Sequence, residues 1–391
     1  MVDTAASLRP ALAGRLAATV GNSGEADSAL SPAPYWDRFA HWPRNRARLA
    51  LFLVALLFAL SAIVPISRGR GADTVPQFGS VTVSDPSARD DDLSVYDNVL
   101  VRLKRGESYY PAVAAEHREI GFPLTPGLAV RLPTLAWFYA AIGETGERAF
   151  AILLFLGVLI VWWRRLGELP ETAAQRPLCM ALIGIGAVLV LNVYYYRLHE
   201  LPSGMLLAIG FGLWRPGKWF PAILPIAAAL AIREHSLPFV ALLGAMAIWR
   251  RDWREAAVWT ALGAAFIAGL ALHLHLVAEQ ARAGDLVSQS WLAMRGLSGW
   301  LEAMIFPTNL RYLPHYIAGP VVVAMLLGWA GWRGPVGTFG FLLLAGYGFA
   351  FTIAGRDENY YWGLMVTPLL ALGLAFAPMA AKGLLRAAIA R

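Results

Sequence analysis

The chain has 391 residues, of which 58% are hydrophobic and only 15% are charged, and its formal net charge at pH 7 is +7. Soluble domains carry about 25% charged residues, so this composition excludes an ordinary soluble protein and indicates a membrane protein. The positive charge does not imply nucleic-acid binding, because many of the basic residues lie in short turns between apolar runs. The single cysteine, Cys179, excludes an intrachain disulfide and a cysteine-based zinc site.

The N-terminal segment, residues 1–47, contains no long apolar run, and we predict that it is a flexible cytoplasmic tail. Arg44, Arg46 and Arg48 come directly before the first apolar run. Basic residues at this position keep the N-terminus in the cytoplasm. The remaining residues, 48–391, are predicted to form a single transmembrane domain.

Apolar runs recur along the rest of the chain, many of them about 17–22 residues long, which is the length that crosses a bilayer as a helix. The predicted fold class is therefore all-α, a polytopic transmembrane helix bundle of about ten spans. The predicted spans are Leu49–Ile66, Arg148–Trp163, Pro177–Tyr195, Leu201–Trp214, Phe220–Ile232, Leu237–Trp249, Ala256–Leu276, Tyr316–Trp332, Val336–Ala354 and Tyr361–Ala380.

A large outer loop, residues 67–147, separates the first two predicted spans, and we expect it to contain amphipathic helices. One of them is indicated by apolar residues at helical spacing from Leu93 to Leu103, with Gly106 as its stop. The segment Leu128–Ile142 is apolar but short, and it contains an arginine and a proline. We predict that this segment is an interfacial or re-entrant helix and not a span.

Ten spans from a cytoplasmic start place the short basic turns on the inner side, as the positive-inside rule requires. Both termini are then cytoplasmic, and a second outer loop covers residues 277–315. We predict a multi-pass protein of the bacterial inner (plasma) membrane, with its functional site facing the periplasm.

Polar residues collect on the predicted outer side, several of them at the ends of spans. A charged side chain at mid-bilayer costs about 2.5–3.5 kcal/mol, so such residues usually face a bundle interior or a water-filled cavity. They indicate a candidate site on this side. The residues concerned are Asp90, Asp91, Asp92, Asp97, His199, Glu200, Arg233, Glu234, His235, Glu279, Arg311, His315, Arg356, Asp357 and Glu358.

Each group also has a structural interpretation. Asp90 and Asp91 are suited to cap a helix, and the pairs Arg233–Glu234 and Arg356–Asp357 are suited to neutralise each other at hairpins. His117, with Glu116 and Glu119, is expected on a solvated helix face, and His273 and His275 are expected to be core or interface residues.

The order of motifs in the first outer loop resembles the GT-C superfamily of polytopic glycosyltransferases, which use polyprenyl-phosphate sugars. The resemblance rests on acids at the start of the loop, a D-x-x-x-Y pattern from Asp92 to Tyr96, a Gly-x-x-Tyr-Tyr-Pro turn beginning at Gly106, and Gly121-Phe122-Pro123. The amphipathic segment Arg131–Gly143 follows before the second span. The chain lacks the large soluble C-terminal domain of many relatives.

The resemblance implies that an acid near the start of the loop activates the acceptor, and Asp92 matches this role best, with Asp91 as the second choice. The leaving phosphate needs cationic groups, and arginine forks suit phosphate oxygens. We expect Arg233 and Arg356 in this role, with His235 or His315 assisting, and Tyr96 and Glu200 as further substrate-binding residues.

The predicted function is transfer of a sugar from a polyprenyl-phosphate donor to a periplasmic lipid, glycan or protein, with membrane lipid as a further partner and no nucleic acid. No cofactor is predicted, and the D-x-D pattern is weak support for a divalent metal because no nucleotide-binding unit surrounds it. The alternatives are a transporter or lipid flippase, and a non-catalytic scaffold of polysaccharide assembly.

Overall fold

The computed structural model describes residues 36–66, 91–169 and 172–390, except for the side chains of Asp91 and Asp92. Within these ranges all regular secondary structure is helical, and strand-like pairing is limited to three isolated bridges. The predicted all-α fold is therefore confirmed for the described residues. The predicted tail up to residue 35, and residues 67–90 of the predicted outer loop with Asp90, lie outside the described residues.

The described end of the predicted tail packs against the bundle. The backbone N–H of Arg38 donates to the carbonyl of Gly331 at 2.8 Å. Helix α1 (Arg44–Ile63) follows and packs against α11 (His315–Gly331) and α14 (Ala377–Ile389). Residues 36–47 are thus part of the folded unit, which differs from the prediction of a flexible tail extending to residue 47.

Two short helices follow in the part of the predicted outer loop that the structure describes, α2 (Asp91–Lys104) and α3 (Tyr109–Ile120). The helix predicted from the apolar spacing is confirmed as α2, and it ends before Gly106, whose φ of 90° favours glycine. The buried apolar side chains of α2 are Leu93, Val95, Val99 and Leu100.

Helix α4 (Thr134–Gly167) joins two predicted elements. Its C-terminal part contains the predicted span Arg148–Trp163, and its N-terminal part corresponds to the predicted interfacial helix Leu128–Ile142. The helix begins only at Thr134, because Pro133 occupies the capping position. The two parts meet at Gly143, which breaks the helical path with φ 67° and ψ 179°.

Five helices form the middle of the chain, and each overlaps one of the predicted spans. Four of them have only 12 to 14 residues, whereas α9 has 26. They are α5 (Arg176–Ala187), α6 (Glu200–Leu213), α7 (Phe220–Ile232), α8 (Leu237–Trp249) and α9 (Trp253–Ala278).

The C-terminal third differs from the prediction in two places. The predicted second outer loop contains α10 (Gly296–Ile305), in which every residue from Gly299 onward is buried. After α12 (Pro335–Ile353), the predicted last span is a series of short helical pieces. These are the 3₁₀ helix Asp357–Met365, α13 (Thr367–Leu370), the 3₁₀ helix Ala371–Ala375 and α14, with a bend of 54° before α14.

Four helical segments of the described chain are long and apolar enough to cross a membrane, and a fifth qualifies if the bent C-terminal pair is one span. The four are Arg44–Ile63, Gly127–Gly167, Trp253–Ala278 and Pro335–Ile353. The other predicted spans correspond to apolar helices of 10 to 17 residues. A membrane protein is therefore supported, and the count of ten spans stays a prediction.

The helices of the bundle share one large apolar core that extends from α4 to the residues before α14. A smaller cluster lies between α2, α3 and the end of α9 and includes Val99, Val113 and Val277. This second core attaches the α2–α3 pair to one end of the bundle. The polar cavity lies at the junction between the α2–α3 pair and the bundle.

Candidate functional site

A cavity of about 150 Å³ lies where α2, α3 and the start of α4 meet three segments from other parts of the chain. These segments lie around residues 197–199, 288–291 and 356–362. We call this space the polar cavity. Its polar and aromatic lining includes Tyr96, Tyr109, His117, Arg131, Tyr139, Arg197, His199, Ser288, Trp291, Arg356, Glu358, Asn359, Tyr361 and Trp362.

Helix α2 supplies the first wall of the polar cavity. Tyr96 lines the cavity, and Asp92 lies four residues earlier on the same face of this helix. Asp91 is the first residue of the helix, which agrees with the capping interpretation of the acidic run. The side chains of both acids lie outside the described residues, so their predicted catalytic role stays a prediction.

Arg131 connects the α2 wall to the opposite wall. Its Nε donates to the hydroxyl of Tyr96 at 3.0 Å, and its Nη2 donates to the hydroxyl of Tyr361 at 3.0 Å. Its backbone carbonyl accepts from the hydroxyl of Tyr109 at 2.6 Å. Both hydrogen-bond partners of the side chain are neutral hydroxyls, and the carboxylates of Glu200 and Glu234 act on the guanidinium only through their charge. The guanidinium can therefore donate to an anion in the cavity without breaking a direct ion pair.

His199 lies on the floor of the polar cavity with only 4% of its surface exposed. Its ring centroid is 5.0 Å from that of Tyr96, and the ring has a hydrogen bond with the backbone of Leu132. Burial, and then the charges of Arg131 and Arg233, hold the pKa of His199 well below its usual value. A neutral imidazole has one donor and one acceptor nitrogen, so the bond to Leu132 leaves the acceptor for a ligand.

Two of the predicted binding residues form a buried ion pair beside the cavity. The Nε of Arg233 lies 2.7 Å from Oε1 of Glu200, and the guanidinium also pairs with Glu234. Arg233 is 1% exposed and Glu200 is fully buried, and neither lines the polar cavity. The arrangement matches the structural interpretation of Arg233–Glu234, with Glu200 as an additional partner.

Arg356 lines the polar cavity, as expected for a ligand-binding arginine. Its Nε lies 2.8 Å from Oε1 of Glu358, and its guanidinium carbon is 5.7 Å from the ring centroid of Trp291. Asp357 pairs instead with Arg295 at 3.0 Å. The expected Arg356–Asp357 pair is therefore wrong, because the 3₁₀ turn that begins at Asp357 directs the two acids to different arginines.

A second cavity of about 140 Å³ lies between the start of α8 and the end of α12. We call it the apolar cavity, because its lining is almost free of polar surface. His235 lines it, and the ring of this histidine is 4.5 Å from the ring of Trp362. Trp362 also lines the polar cavity, so the two cavities share one side chain.

His315 is a predicted site residue that begins α11 and lines neither the polar cavity nor the apolar cavity. Its predicted role in assisting phosphate binding has no geometric support among the described residues. The sequence placed it in the candidate group only because it ends the second predicted outer loop.

The expectation of a solvated face for Glu116 and His117 is wrong. Glu116 is 3% exposed and pairs with Arg102, whereas His117 is 6% exposed and lines the polar cavity. The Nδ1 of His117 lies 2.9 Å from the carbonyl oxygen of Pro123, and burial lowers its pKa. The sequence contained a sign of this burial. His117 lies four residues after Val113, and this spacing places it on the apolar face of α3.

The two other histidines of the sequence analysis follow their expectation in part. His273 is a buried interface residue: its Nε2 lies 3.2 Å from the carbonyl oxygen of Val130, and its Nδ1 lies 3.3 Å from the hydroxyl of Tyr110. His275 is exposed and pairs with Glu279 at 3.3 Å. The residues of the polar cavity that sequence reasoning missed include Arg131, His117, Trp291, Tyr361 and Trp362.

Within the part of the chain that the structure describes, no group of three or more His, Cys, Asp or Glu side chains is arranged to bind a metal ion. Comparison of the chain with protein-family models, with curated proteins and with solved structures finds no match. A function can therefore be argued only from the two cavities and the residues that line them.

Proposed function

We propose that the chain is a membrane glycosyltransferase of the GT-C type, which transfers a sugar from a polyprenyl-phosphate donor to a lipid, glycan or protein acceptor. The observation that carries this proposal is the pair of cavities that share Trp362. Three arginines line the polar cavity, and two of them, Arg131 and Arg356, are not held in a buried ion pair as Arg197 is with Glu147. A polar cavity of this kind beside an apolar cavity suits a ligand with a charged head and a hydrocarbon tail.

The polar cavity supports binding of a phosphate. Arg131 donates only to hydroxyl groups, and Arg356 has one partly exposed carboxylate as its partner. Both guanidinium groups can therefore donate to phosphate oxygens without breaking a buried ion pair. Arg233, which the sequence favoured, would have to leave Glu200, and we assign it to the support of the cavity instead.

The apolar cavity supports a lipid tail. Its walls come from Tyr347 and Phe351 on α12, from Trp362 and from the first turn of α8. Pro238 and Gly346 at its edge are exposed, so a chain can enter from the bilayer between α8 and α12. Burial of hydrocarbon contributes about 0.8 kcal/mol for each CH₂ group, which makes even a short enclosed length of tail significant.

The proposed reaction is an inverting displacement. The acceptor oxygen attacks the anomeric carbon of the sugar while the bond from that carbon to the phosphate oxygen breaks. A carboxylate takes the proton of the acceptor, and the leaving polyprenyl phosphate keeps the electron pair and is stabilised by the two arginines. We assign the carboxylate to Asp92, with Asp91 as the second choice, because both acids lie in the first turn of α2, about one turn before the lining residues Val95 and Tyr96.

We retain ten spans, cytoplasmic termini and an outward-facing site in the inner membrane of a bacterium as part of this proposal. The short helices are the difficulty, since 13 residues of α-helix measure about 20 Å and the hydrocarbon core is about 30 Å thick. Several of these helices are extended by 3₁₀ turns, such as Val188–Leu191 after α5 and Glu234–Ser236 before α8. The first of these turns is apolar and lengthens the apolar path of its segment, whereas Glu234–Ser236 is polar and lies at the end of its segment.

The test is transfer of a radiolabelled sugar from polyprenyl-phosphate donors to bacterial envelope fractions by the purified chain in liposomes. We expect transfer by the unmodified chain and its loss in Asp92→Asn and in Arg356→Ala. Arg105→Ala is the matched control, because Arg105 is an exposed arginine at the end of the same helix region.

Full transfer by both site variants would show that the mechanism is wrong. Movement of the donor between leaflets without transfer would contradict the enzyme proposal and favour a lipid flippase.

A further inference from the structure

The segment from Asp285 to Arg295, which we call the strap, crosses one side of the polar cavity in an extended path. Near its first end, Ser288 N–H donates to the carbonyl of Thr125 at 2.6 Å. Near its second end, Ala293 N–H donates to the carbonyl of Ile353 at 3.1 Å, and Gly355 N–H donates to the carbonyl of Trp291 at 2.8 Å. The strap is thus fixed to two distant parts of the chain.

The two faces of the strap differ in chemistry. Ser288 and Trp291 line the polar cavity. Val287, Leu292 and Met294 are directed away from it and are 70%, 79% and 84% exposed. The segment bends at Trp291, and Leu292 is the next residue on its opposite side, so the contacts that hold Trp291 over the cavity also fix Leu292 outward.

The position of the strap relates it to the membrane. It follows α9 after a short turn and pairs with the last residues of α12, and both helices are long and apolar enough to cross a bilayer. The strap therefore lies at the level where these two spans end. At that level the hydrocarbon region gives way to the headgroup region.

The exposed apolar surface continues from the strap onto the spans beside it. Phe349, one turn before the paired end of α12, is 67% exposed, and Leu272 on the last turns of α9 is 59% exposed. Side chains at these places on spanning helices face lipid. Val287, Leu292 and Met294 are exposed apolar side chains next to the ends of these helices. We therefore take the bilayer as their partner.

We propose that the strap is an interfacial membrane anchor, whose outward side chains Val287, Leu292 and Met294 insert into the boundary between headgroups and acyl chains. The partner is the lipid surface itself, at the end of the bundle that contains the polar cavity. Insertion of the outer face fixes the inner face, so the bilayer holds Ser288 and Trp291 in place as one wall of the cavity. Apolar side chains beside a spanning region bind this boundary in the same way as interfacial helices do.

The test uses single-cysteine labelling of the full chain in liposomes. Leu292→Cys and Met294→Cys are each labelled with an environment-sensitive fluorophore, and the unmodified chain measures the background from Cys179, which is buried. Quenching is compared between lipids with a nitroxide near the headgroup and iodide in the water. Phe349→Cys is the control for a lipid-facing position, and Arg105→Cys is the control for a water-facing position.

We expect the labels at positions 292 and 294 to be quenched several-fold more by the nitroxide lipid than the label at position 105, and to be protected from iodide. Iodide quenching equal to that at position 105 would overturn the proposal. A variant that does not fold is recognised by its elution from size-exclusion chromatography, and the other strap position then provides the test. No sugar donor is present, so the outcome is independent of the proposed transferase.

Discussion

Arg131 joins three parts of the chain through hydrogen bonds to Tyr96, Tyr109 and Tyr361. It contributes both a charge and a geometric link, since its guanidinium spans the cavity between α2 and the 3₁₀ helix that contains Tyr361. A lysine at this position would keep the charge but would lose the fork that reaches both hydroxyls. Substitutions of Arg131 can therefore separate the contribution of its charge from the contribution of its hydrogen bonds.

We expect Arg131→Gln to lower kcat/KM for the polyprenyl-phosphate donor roughly 10- to 100-fold, because a lost hydrogen bond to a charged group costs about 1.5–3 kcal/mol. Arg131→Lys should recover part of this loss. Arg105→Gln, at an exposed arginine, should leave the rate unchanged. Equal rates for Arg131→Gln and the unmodified chain would exclude Arg131 from phosphate binding.

His117 and His199 make stability depend on pH. Burial lowers the pKa of both imidazoles, and for His199 the neighbouring arginine charges add to the effect. The unfolded chain therefore binds more protons than the folded chain below the ordinary histidine pKa of about 6.5. Stability is then complete above that pH and decreases as the pH falls below it toward the folded-state pKa values.

The measurement is the melting temperature of the purified protein between about pH 5 and pH 8, the range in which histidine titrates. The melting temperature should fall below about pH 6.5, and the double variant His117→Asn, His199→Asn should show a flatter profile. His275→Asn is the control, because the side chain of His275 is exposed. An unchanged profile in the double variant would contradict this explanation.

At the scale of single elements, the break in α4 depends on one residue. Gly143 has φ 67° and ψ 179°, a backbone region that essentially only glycine occupies. The break redirects the helix between its N-terminal part, which contains the cavity residue Tyr139, and the part that continues into the bundle. The course of the chain at the cavity therefore depends on the backbone of this glycine.

Gly143→Ala is expected to lower the free energy of unfolding by about 1–3 kcal/mol, the cost of such a backbone conformation for a residue with a Cβ atom. No other atom lies within 4 Å of the added Cβ, so the effect would come from the backbone alone. Gly184→Ala is the matched control, because its Cβ also meets no atom within 4 Å and its position is regular α-helix. An equal melting temperature for both variants would show that the break does not require glycine.

For the molecule as a whole, apolar runs in the sequence locate the helices well, but the lengths of some helices, such as α5, differ from those of the predicted spans. Helices α6 to α9 begin and end close to the predicted spans, because polar residues such as Arg233 and turn residues such as Gly217 mark their ends. Helix α10 was missed, since ten residues with Glu302 in the middle match neither a span nor a solvated helix. The buried carboxylate of Glu302 pairs with Arg295 and accepts a hydrogen bond from Ser298, which a sequence does not reveal.

The sequence also predicted part of the candidate site. The predicted charge topology brought the ends of distant helices to one face and indicated Arg356, and the D-x-x-x-Y pattern indicated Tyr96; both residues line the polar cavity. It did not separate Arg233, which is neutralised by Glu200, from Arg131, which donates to tyrosines. Which charges pair internally depends on distances of a few ångströms between segments, and one-dimensional spacing does not contain them.

The attachment of the strap has a consequence for the synthesis of the chain. The strap pairs with Thr125, which is made early, and with Ile353 and Ala354, which are made almost last. A chain is synthesised from its N-terminus. The α2–α3 pair is therefore made long before the strap can be bound at both of its ends, and most of the bundle is inserted in between. A ribosome-bound chain that stops short of α12 therefore has no complete cavity, and the site is assembled only at the end of membrane insertion.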